Sequence, residues 1–128
     1  MKEYSAQWIT SKKARKQRKY RAHAPLHIKH KFLNAALSKT LKDKHKKNSL
    51  PVKKGDKVKI MRGTFKKQSG AVSRVDMKNT RIYIEGIEVT KKNGTKTQVS
   101  VHPSNVEITE LILDDAKRKA ILTRGVKQ

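Results

Sequence analysis

The sequence predicts a mainly β fold with flanking helices, in which a small barrel of short strands occupies residues 51–110. A basic helical extension precedes it in residues 1–50, and a short helix follows in residues 111–128. Three observations lead to this prediction. Short apolar and polar alternations separated by turn residues fill the middle of the chain, which is typical of antiparallel strands. The first part combines dense positive charge with an apolar stripe of helical spacing, and the last part has a second, shorter stripe.

The length and the charge limit the classes of protein. A chain of 128 residues suffices for one domain, at roughly 100–200 residues per domain. Its formal net charge is +23, with 17 Lys and Arg against 2 acidic residues in residues 1–54. A small domain needs a net charge of only about 2–8 for solubility. The excess therefore predicts a polyanionic partner, either nucleic acid or an acidic membrane surface.

Several kinds of site are not expected. The sequence has no cysteine and its five histidines are scattered, so neither a disulfide nor a metal site is predicted. It has no run of about 18 apolar residues for a membrane span, no signal peptide, and no nucleophile with a base or paired carboxylates in an apolar segment. We therefore expect no cofactor, no small-molecule substrate, no membrane partner and no enzymatic activity, in a cytoplasmic protein.

The N-terminal arm, residues 1–24, is dominated by cations. Seven of the eleven residues from Lys12 to Ala22 are Lys or Arg, and like charges repel one another in a free chain. Because the apolar residues are too few to anchor a helix, we expect the arm to be disordered in the free protein and ordered on RNA. Trp8 and Tyr20, which lack a nearby core, are then free to stack on bases. A solvated tail or a localisation signal is the alternative.

From Pro25 to Lys46 the sequence predicts helix. Apolar residues recur with helical spacing from Ile28 to Leu41, with lysines and histidines between them, which indicates an amphipathic helix with a basic outer face. Pro25 suits a first helical turn, and Ser38 is a candidate N-cap of a second short helix. Both one helix and two helices, split near Asn34 to Leu37, therefore remain open. The same pattern fits a membrane surface, but a single aromatic residue is a weak interfacial anchor.

The segment 52–76 is where turn residues, alternation and cations coincide. The pair Gly55–Asp56 indicates a turn before a strand over residues 57–61, and a second strand restarts at Ala71. Between the strands, the predicted loop from Gly63 to Gly70 contains two glycines and two lysines. This composition suits a loop that approaches phosphates closely.

Beyond residue 76 the chain is predicted to form a meander. A turn at residues 77–80 precedes a strand from Arg81 to Val89, which Gly86 interrupts, and the pair Asn93–Gly94 is the strongest hairpin signal in the chain. A last strand is expected over residues 106–108. Five or six short strands in about 57 residues have the size and rhythm of an SH3-like barrel.

The C-terminal segment is predicted to be a short closing helix. Asp114 and Asp115 lie where a helix N-terminus favours negative charge, and Lys117 to Lys119 follow. Gly125 is a candidate stop signal.

Three motifs in series resemble those of a known family. The segment 52–76 resembles the KOW motif, with Gly70 at the place of its characteristic glycine. The other two are HAPLHIKHKFLNAALSKTLKDKH at residues 23–45 and HPSNVEIT at residues 102–109. Together they resemble the KOW-bearing protein of the large ribosomal subunit in its archaeal and eukaryotic form, the L-twenty-four family. Lys67 stands where that family commonly has a second glycine, so the backbone there is less free to adopt a positive φ.

The resemblance implies a structural constituent of the large ribosomal subunit. Such a protein binds large-subunit ribosomal RNA, assembles early, and ends up beside neighbouring ribosomal proteins near the exit of the polypeptide tunnel. The alternative is a KOW-bearing transcription elongation factor or another general nucleic-acid-binding protein. Elongation factors of that kind carry an α/β domain before the barrel, and residues 1–50 are too short and too basic for one.

Lysine and arginine side chains are expected to neutralise RNA phosphates, with histidines and polar loop residues adding hydrogen bonds. The predicted RNA-binding residues of the N-terminal part are Lys12, Lys13, Arg15, Lys16, Arg18, Lys19, Tyr20, Arg21, His23, His27, Lys29, His30, Lys31 and Lys39. Those of the barrel are Arg62, Gly63, Lys66, Lys67, Gln68, Ser69, Gly70, Arg74, His102 and Ser104. For Phe65 and Tyr83, packing in the barrel or bracing the loop is as good an interpretation as stacking on a base.

Overall fold

The computed structural model describes residues 4–124. Its helices are α1 (Ala14–His23), α2 (Leu26–Phe32), α3 (Lys39–His45) and α4 (Ala116–Thr123). Its strands are β1 (Asn34–Leu37), β2 (Ser49–Pro51), β3 (Lys57–Ile60), β4 (Ser69–Asp76), β5 (Arg81–Thr90), β6 (Lys96–Val101) and β7 (Val106–Glu110). Short 3-10 helices occupy Ala6–Thr10 and Pro103–Asn105. The prediction of a β-rich domain with flanking helices is confirmed.

The seven strands form one sheet in the order β2-β1-β7-β3-β4-β5-β6. Strand β7 lies between β1, to which it runs parallel, and β3, to which it runs antiparallel. Within residues 4–124 no pairing joins the two edge strands β2 and β6, so closure into an SH3-like barrel is not confirmed. The boundary predicted between residues 50 and 51 falls inside strand β2.

The strands bury alternate side chains in one apolar core. In β3, Val58 and Ile60 are buried while Lys57 and Lys59 are exposed, as a period of two requires. Side chains from all seven strands, together with Leu122 of α4, belong to a single buried cluster. Each fully buried Val, Leu or Ile stabilises the fold by roughly 1.5–3 kcal/mol relative to exposure, so this core fixes the sheet on which the basic surface is built.

Of the two alternatives, one continuous helix is wrong, because residues 34–37 form strand β1 between α2 and α3. Ala35 and Leu37 are buried, with Ala35 opposite Leu50 of β2 and Leu37 opposite Ile108 of β7. Tertiary pairing thus overrides the helical propensity of the sequence NAAL. The Ser38 cap is confirmed, since its Oγ accepts a hydrogen bond from the Leu41 N–H at 3.4 Å. There are therefore two helices in this stretch.

The hairpin predicted at Asn93–Gly94 is confirmed. It joins β5 to β6, and Gly94 has the positive φ of +86° that such turns require. Strand β5 continues past Gly86, where the prediction placed an interruption. The interruption is instead a shift in the β5–β6 register between Tyr83 and Glu88.

A buried ion pair fastens α4 to the start of β3. The Arg118 guanidinium donates from Nη1 to Asp56 Oδ1 at 2.7 Å and from Nη2 to Oδ2 at 2.5 Å. Asp56 is 0% exposed and Arg118 is 5% exposed. The same carboxylate accepts the backbone N–H groups of Lys53 and Ile112 at 3.0 and 3.2 Å. The sequence identified Asp56 only as a turn residue and Arg118 only as one cation among three.

The predicted closing helix is confirmed as α4. Asp115 is its N-cap, since its Oδ1 accepts the Lys117 N–H at 3.0 Å, as expected for an acid at a helix N-terminus. Asp114 instead pairs with Lys53 Nζ at 3.0 Å on the surface, and that hydrogen bond lowers the pKa of Asp114. The stop signal predicted at Gly125 lies outside the described residues.

Candidate nucleic-acid interface

The basic loop between β3 and β4 ends earlier than predicted. Gly70 belongs to β4 and pairs with Val58 of β3, so its assignment to the loop is wrong. A Cβ atom on Gly70 would lie 2.5 Å from the Glu85 carbonyl oxygen and 2.9 Å from Cγ2 of Ile84. The requirement for glycine therefore comes from the backbone of β5 passing close by, and not from a loop conformation.

Lys67 lies within the loop and has a left-handed backbone, with φ at +72°. Its N–H donates to the Ile60 carbonyl at 2.8 Å, which closes the loop on the end of β3. A side chain in this conformation costs roughly 1–2 kcal/mol. In the family that the sequence resembles, this position is commonly glycine. In this chain it is a lysine with a positive φ, which strains the lysine backbone.

We therefore expect Lys67→Gly to raise the free energy of unfolding by about 1 kcal/mol, measured by urea denaturation. The relief of strain exceeds the extra conformational entropy that glycine gives the unfolded chain. Lys66→Gly is the matched control, because it removes the same charge next to Lys67 and Lys66 has no positive φ. It should leave stability unchanged or lower it. Equal losses in both variants would show that Lys67 is not strained.

Helix α1 is anchored by aromatic packing. Tyr20 is 5% exposed, its ring stacks on Tyr4 at a centroid distance of 5.6 Å, and it meets Phe32 of α2 edge-on at 5.9 Å. Gln17 Nε2 also donates to the carbonyl oxygen of Trp8 at 2.9 Å. The expectations that the arm lacks an anchor and that Tyr20 is free to stack on bases are therefore wrong. The three aromatic residues are too far apart in sequence to form a periodic pattern.

Residues 4–24 consequently have a defined conformation, a 3-10 helix followed by α1, where disorder was predicted for the free protein. Trp8 is half-buried, and Lys19 Nζ lies 5.2 Å from the centre of its ring. One face of the Trp8 ring is thus occupied by a cation.

The cations of α1 and of the residues before it face solvent. Seven exposed side chains share this surface, namely Lys12, Lys13, Arg15, Lys16, Arg18, Lys19 and Arg21. None of them enters an ion pair among residues 4–124. Their charge is therefore available to neutralise phosphates of a nucleic acid.

A basic cleft of about 480 Å³ lies between α1 and the turn that joins β4 to β5. Helix α1 contributes Arg18 and Arg21, and the turn side contributes Lys78 and Arg81. All four are exposed. The sequence had not identified Lys78 and Arg81 as binding residues, because they stood in a predicted turn and strand and only the fold brings them opposite α1.

Hydrogen bonds fix the turn on one side of this cleft. The Asp76 carboxylate accepts from the backbone N–H of Asn79 at 3.2 Å and from its Nδ2 at 2.8 Å. These bonds, above all the one from the Asn79 side chain, lower the pKa of Asp76. The carboxylate stays charged at neutral pH and is engaged within the turn, which orients Lys78 and Arg81 beside it.

His102 lies at the inner side of the cleft. Its Nδ1 accepts the backbone N–H of Ser104 at 3.2 Å and lies 2.7 Å from the Ser104 Oγ. Partial burial lowers the pKa of His102, and the charges of Arg81 and Arg21 lower it further. A pKa below the ordinary value leaves the imidazole neutral at pH 7. The predicted pair His102 and Ser104 is thus brought together, with the ring as a neutral hydrogen-bonding group.

A second, smaller pocket of about 220 Å³ adjoins the cleft and shares Arg81 and His102 with it. Its other side is the start of the basic loop, from Arg62 to Phe65. Phe65 also packs against the core cluster, which supports a bracing role. Two of the RNA-binding residues predicted in the barrel, Arg62 and Gly63, therefore line a pocket that shares two residues with the cleft at α1.

The remaining predicted residues do not line these two pockets. Arg74 lies over the ring of Tyr83, with 4.0 Å from its Cζ to the ring centre, and lines a different surface together with His30. The residues that line neither the cleft nor the smaller pocket also include His27, Lys29, Lys31, Lys39, Lys66, Lys67, Gln68, Ser69 and Gly70.

Residues 4–124 include no group of three or more potential metal ligands. Their helices are all too short or too polar to cross a membrane.

The chain is similar to known proteins over nearly its full length. The sequence model of the family that comprises the eukaryotic ribosomal proteins L26 and the archaeal ribosomal proteins of the L-twenty-four type matches residues 11–125. The chain is also 48% identical over 120 residues to the "Large ribosomal subunit protein uL24" of Korarchaeum cryptofilum (strain OPF8). That alignment covers 93% of this chain and 92% of the Korarchaeum protein.

Proposed function

The chain belongs to the family of eukaryotic L26 and archaeal L-twenty-four ribosomal proteins, and from that membership we propose that it binds large-subunit ribosomal RNA and supports assembly near the polypeptide exit tunnel. The family is one of structural ribosomal proteins and not of enzymes. Membership makes the chain a component of the large ribosomal subunit in the cytoplasm. RNA binding, assembly and neighbouring ribosomal proteins at the tunnel exit are the proposal.

The observation that carries the proposal is the set of exposed cations on and next to α1. Seven exposed lysines and arginines there have no ion-pair partner in residues 4–124. Such a surface gains affinity for a polyanion by releasing its counterions. The aromatic contact between Tyr20 and Phe32 holds this surface against the rest of the protein, so the charges approach RNA as one fixed array.

We further propose that the strands curl into a KOW-type small barrel. Register shifts in three strand pairs support this, because shifts of this kind bend and twist a sheet. The single buried cluster drawn from strands at both ends of the sheet supports it as well. In this division, residues 51–110 supply five of the seven strands of the barrel and residues 111–128 the closing helix. Residues 1–50 mainly supply RNA contacts, apart from β1 and β2, which complete the sheet.

The salt dependence of RNA binding tests the proposal. We expect the quadruple variant Lys12→Gln, Lys13→Gln, Arg15→Gln and Lys16→Gln to bind a large-subunit ribosomal RNA fragment with a flatter dependence of log affinity on log salt. Each lost phosphate contact removes about 0.7–0.9 from the slope, so four lost contacts should reduce it by about 3. Replacing Lys66 and Lys67 by Gln should reduce it by no more than about 2.

Filter binding at a series of KCl concentrations measures the slopes. Co-sedimentation with large subunits measures whether the protein assembles into them. The control variant Lys91→Gln with Lys92→Gln removes charge at the β5–β6 turn, away from the predicted residues, and should keep the wild-type slope. A wild-type slope in the quadruple variant would contradict the role assigned to this surface. Sedimentation with chromatin instead of large subunits would favour the general nucleic-acid-binding alternative.

A further inference from the structure

The basic cleft and the pocket beside it form one continuous groove, which we call the basic groove. They share Arg81 and His102, so the groove runs from Arg21 on α1 to Arg62 at the start of the basic loop. None of the residues that line it in the described part of the chain is acidic. Its cations come from three elements that are far apart in sequence. The fold, and not one charged segment of the chain, therefore produces this surface.

The dimensions of the basic groove favour a single strand over a duplex. Its two parts measure about 480 and 220 Å³, and the larger lies within the roughly 300–1,000 Å³ of sites that enclose one small molecule. Proteins bind an RNA duplex across its broad minor groove and its phosphates. A recess of this size instead accommodates a unit as small as a nucleotide.

The wall of the cleft offers a place for an unstacked base. Phe32 and Ala22 supply the apolar surface between the cations, and the edge-on contact with Tyr20 at 5.9 Å fixes the orientation of the Phe32 ring. Aromatic side chains stack on bases that have left a helix. The neutral ring of His102 adds a hydrogen-bonding group whose Nδ1 is already engaged by Ser104, which leaves Nε2 for a ligand.

We propose that the basic groove binds a single-stranded segment of RNA, with one unstacked base in the cleft against Phe32. The flanking phosphates lie beside Arg21 and Arg81, and the strand leaves past Arg62. This inference rests on the proposed RNA-binding function and specifies the form of RNA that one part of the surface takes.

Ala22→Trp tests the groove without a change of charge. Ala22 is exposed on α1 and lines the cleft, so an indole there fills the space for a base and leaves the cations in place. The probes are a fluorescent 12-nucleotide single-stranded RNA and a duplex of the same length. We expect the affinity for the single strand to fall about 10-fold or more, the size of one lost stacking contact, and the affinity for the duplex to stay unchanged.

A matched pair of double variants supplies the second measurement. Arg21→Gln with Arg81→Gln and Lys91→Gln with Lys92→Gln each remove two charges, the first pair inside the basic groove and the second at the β5–β6 turn. The arginine pair should weaken single-strand binding by at least about 10-fold more than the lysine pair. Equal losses, or single-strand binding that survives Ala22→Trp in a folded protein, would overturn the proposal. If thermal unfolding shows that Ala22→Trp is destabilised, the two double variants decide.

Binding by the wild-type protein distinguishes failure of this inference from failure of the proposed function. If it binds a large-subunit ribosomal RNA fragment and the groove variants bind as tightly, only the groove assignment is wrong. If the wild-type protein binds neither that fragment nor large subunits, the proposed function is wrong as well.

Discussion

Removal of one partner of the buried Asp56–Arg118 pair is expected to lower the free energy of unfolding by about 3–5 kcal/mol. Arg118→Met leaves the Asp56 carboxylate at 0% exposure with only two backbone N–H donors. Asp56→Asn leaves the guanidinium buried without an anion. Either variant leaves a buried charge without its ion-pair partner. Chemical denaturation measures the resulting loss in the free energy of unfolding.

A double-mutant cycle shows how much of this loss belongs to the pair. Because the double variant buries no uncompensated charge, it should lose at least about 1 kcal/mol less than the sum of the single losses. Lys57→Gln is the control on the same strand. It breaks the surface pair between Lys57 and Glu110, whose side chains are 60% and 65% exposed, and should cost no more than about 1 kcal/mol. Similar losses from Arg118→Met and Lys57→Gln would show that the buried pair does not hold α4.

Gly70→Val is expected to destabilise the protein by about 3 kcal/mol, at the upper end for an overpacked site. The atom that a Cβ would meet at 2.5 Å is the Glu85 carbonyl oxygen, which belongs to strand β5 and cannot rotate away as a side chain can. The two strands would have to separate where β4 turns from β3 toward β5. Thermal and urea unfolding measure the effect.

Gly63→Val separates this steric effect from backbone strain. Gly63 has a positive φ of +96° but open space around a built Cβ, so valine there should cost only the roughly 1–2 kcal/mol of a left-handed conformation. If Gly70→Val costs no more than Gly63→Val, the close approach of β5 is not what excludes a side chain at residue 70.

The strands, turns and caps that are determined by residues adjacent in sequence could be predicted. Alternation identified β3, and the Asn93–Gly94 pair identified the β5–β6 turn. Ser38 was identified as a candidate N-cap, and the two aspartates at residues 114 and 115 were expected at a helix N-terminus. Strand β1 was missed because a four-residue segment with three apolar residues satisfies the helical and the extended period equally well. Its conformation is decided by β2 and β7, which lie elsewhere in the chain.

The candidate interface could be predicted as a list of charges but not as a shape. Charge belongs to each residue, so Arg18, Arg21 and Arg62 were found from composition. The basic groove exists because α1 is packed on Phe32 through Tyr20 and faces the β4–β5 turn, and no local pattern encodes that contact. For the same reason Arg81 was missed, and Tyr20 was interpreted as exposed.

The position of β7 also sets the order in which the fold can be completed. This strand lies between β1 and β3, yet it is synthesised after the other six strands of the sheet. Before it is made, β1 has only β2 as a neighbour and β3 has only β4. Pairings between residues far apart in sequence form slowly. Synthesis adds about 5–20 residues per second, so β1 and β3 remain without β7 until that strand has been made. The sheet is therefore complete only after all seven strands have been synthesised, and the basic residues of α1 are made before the core is finished.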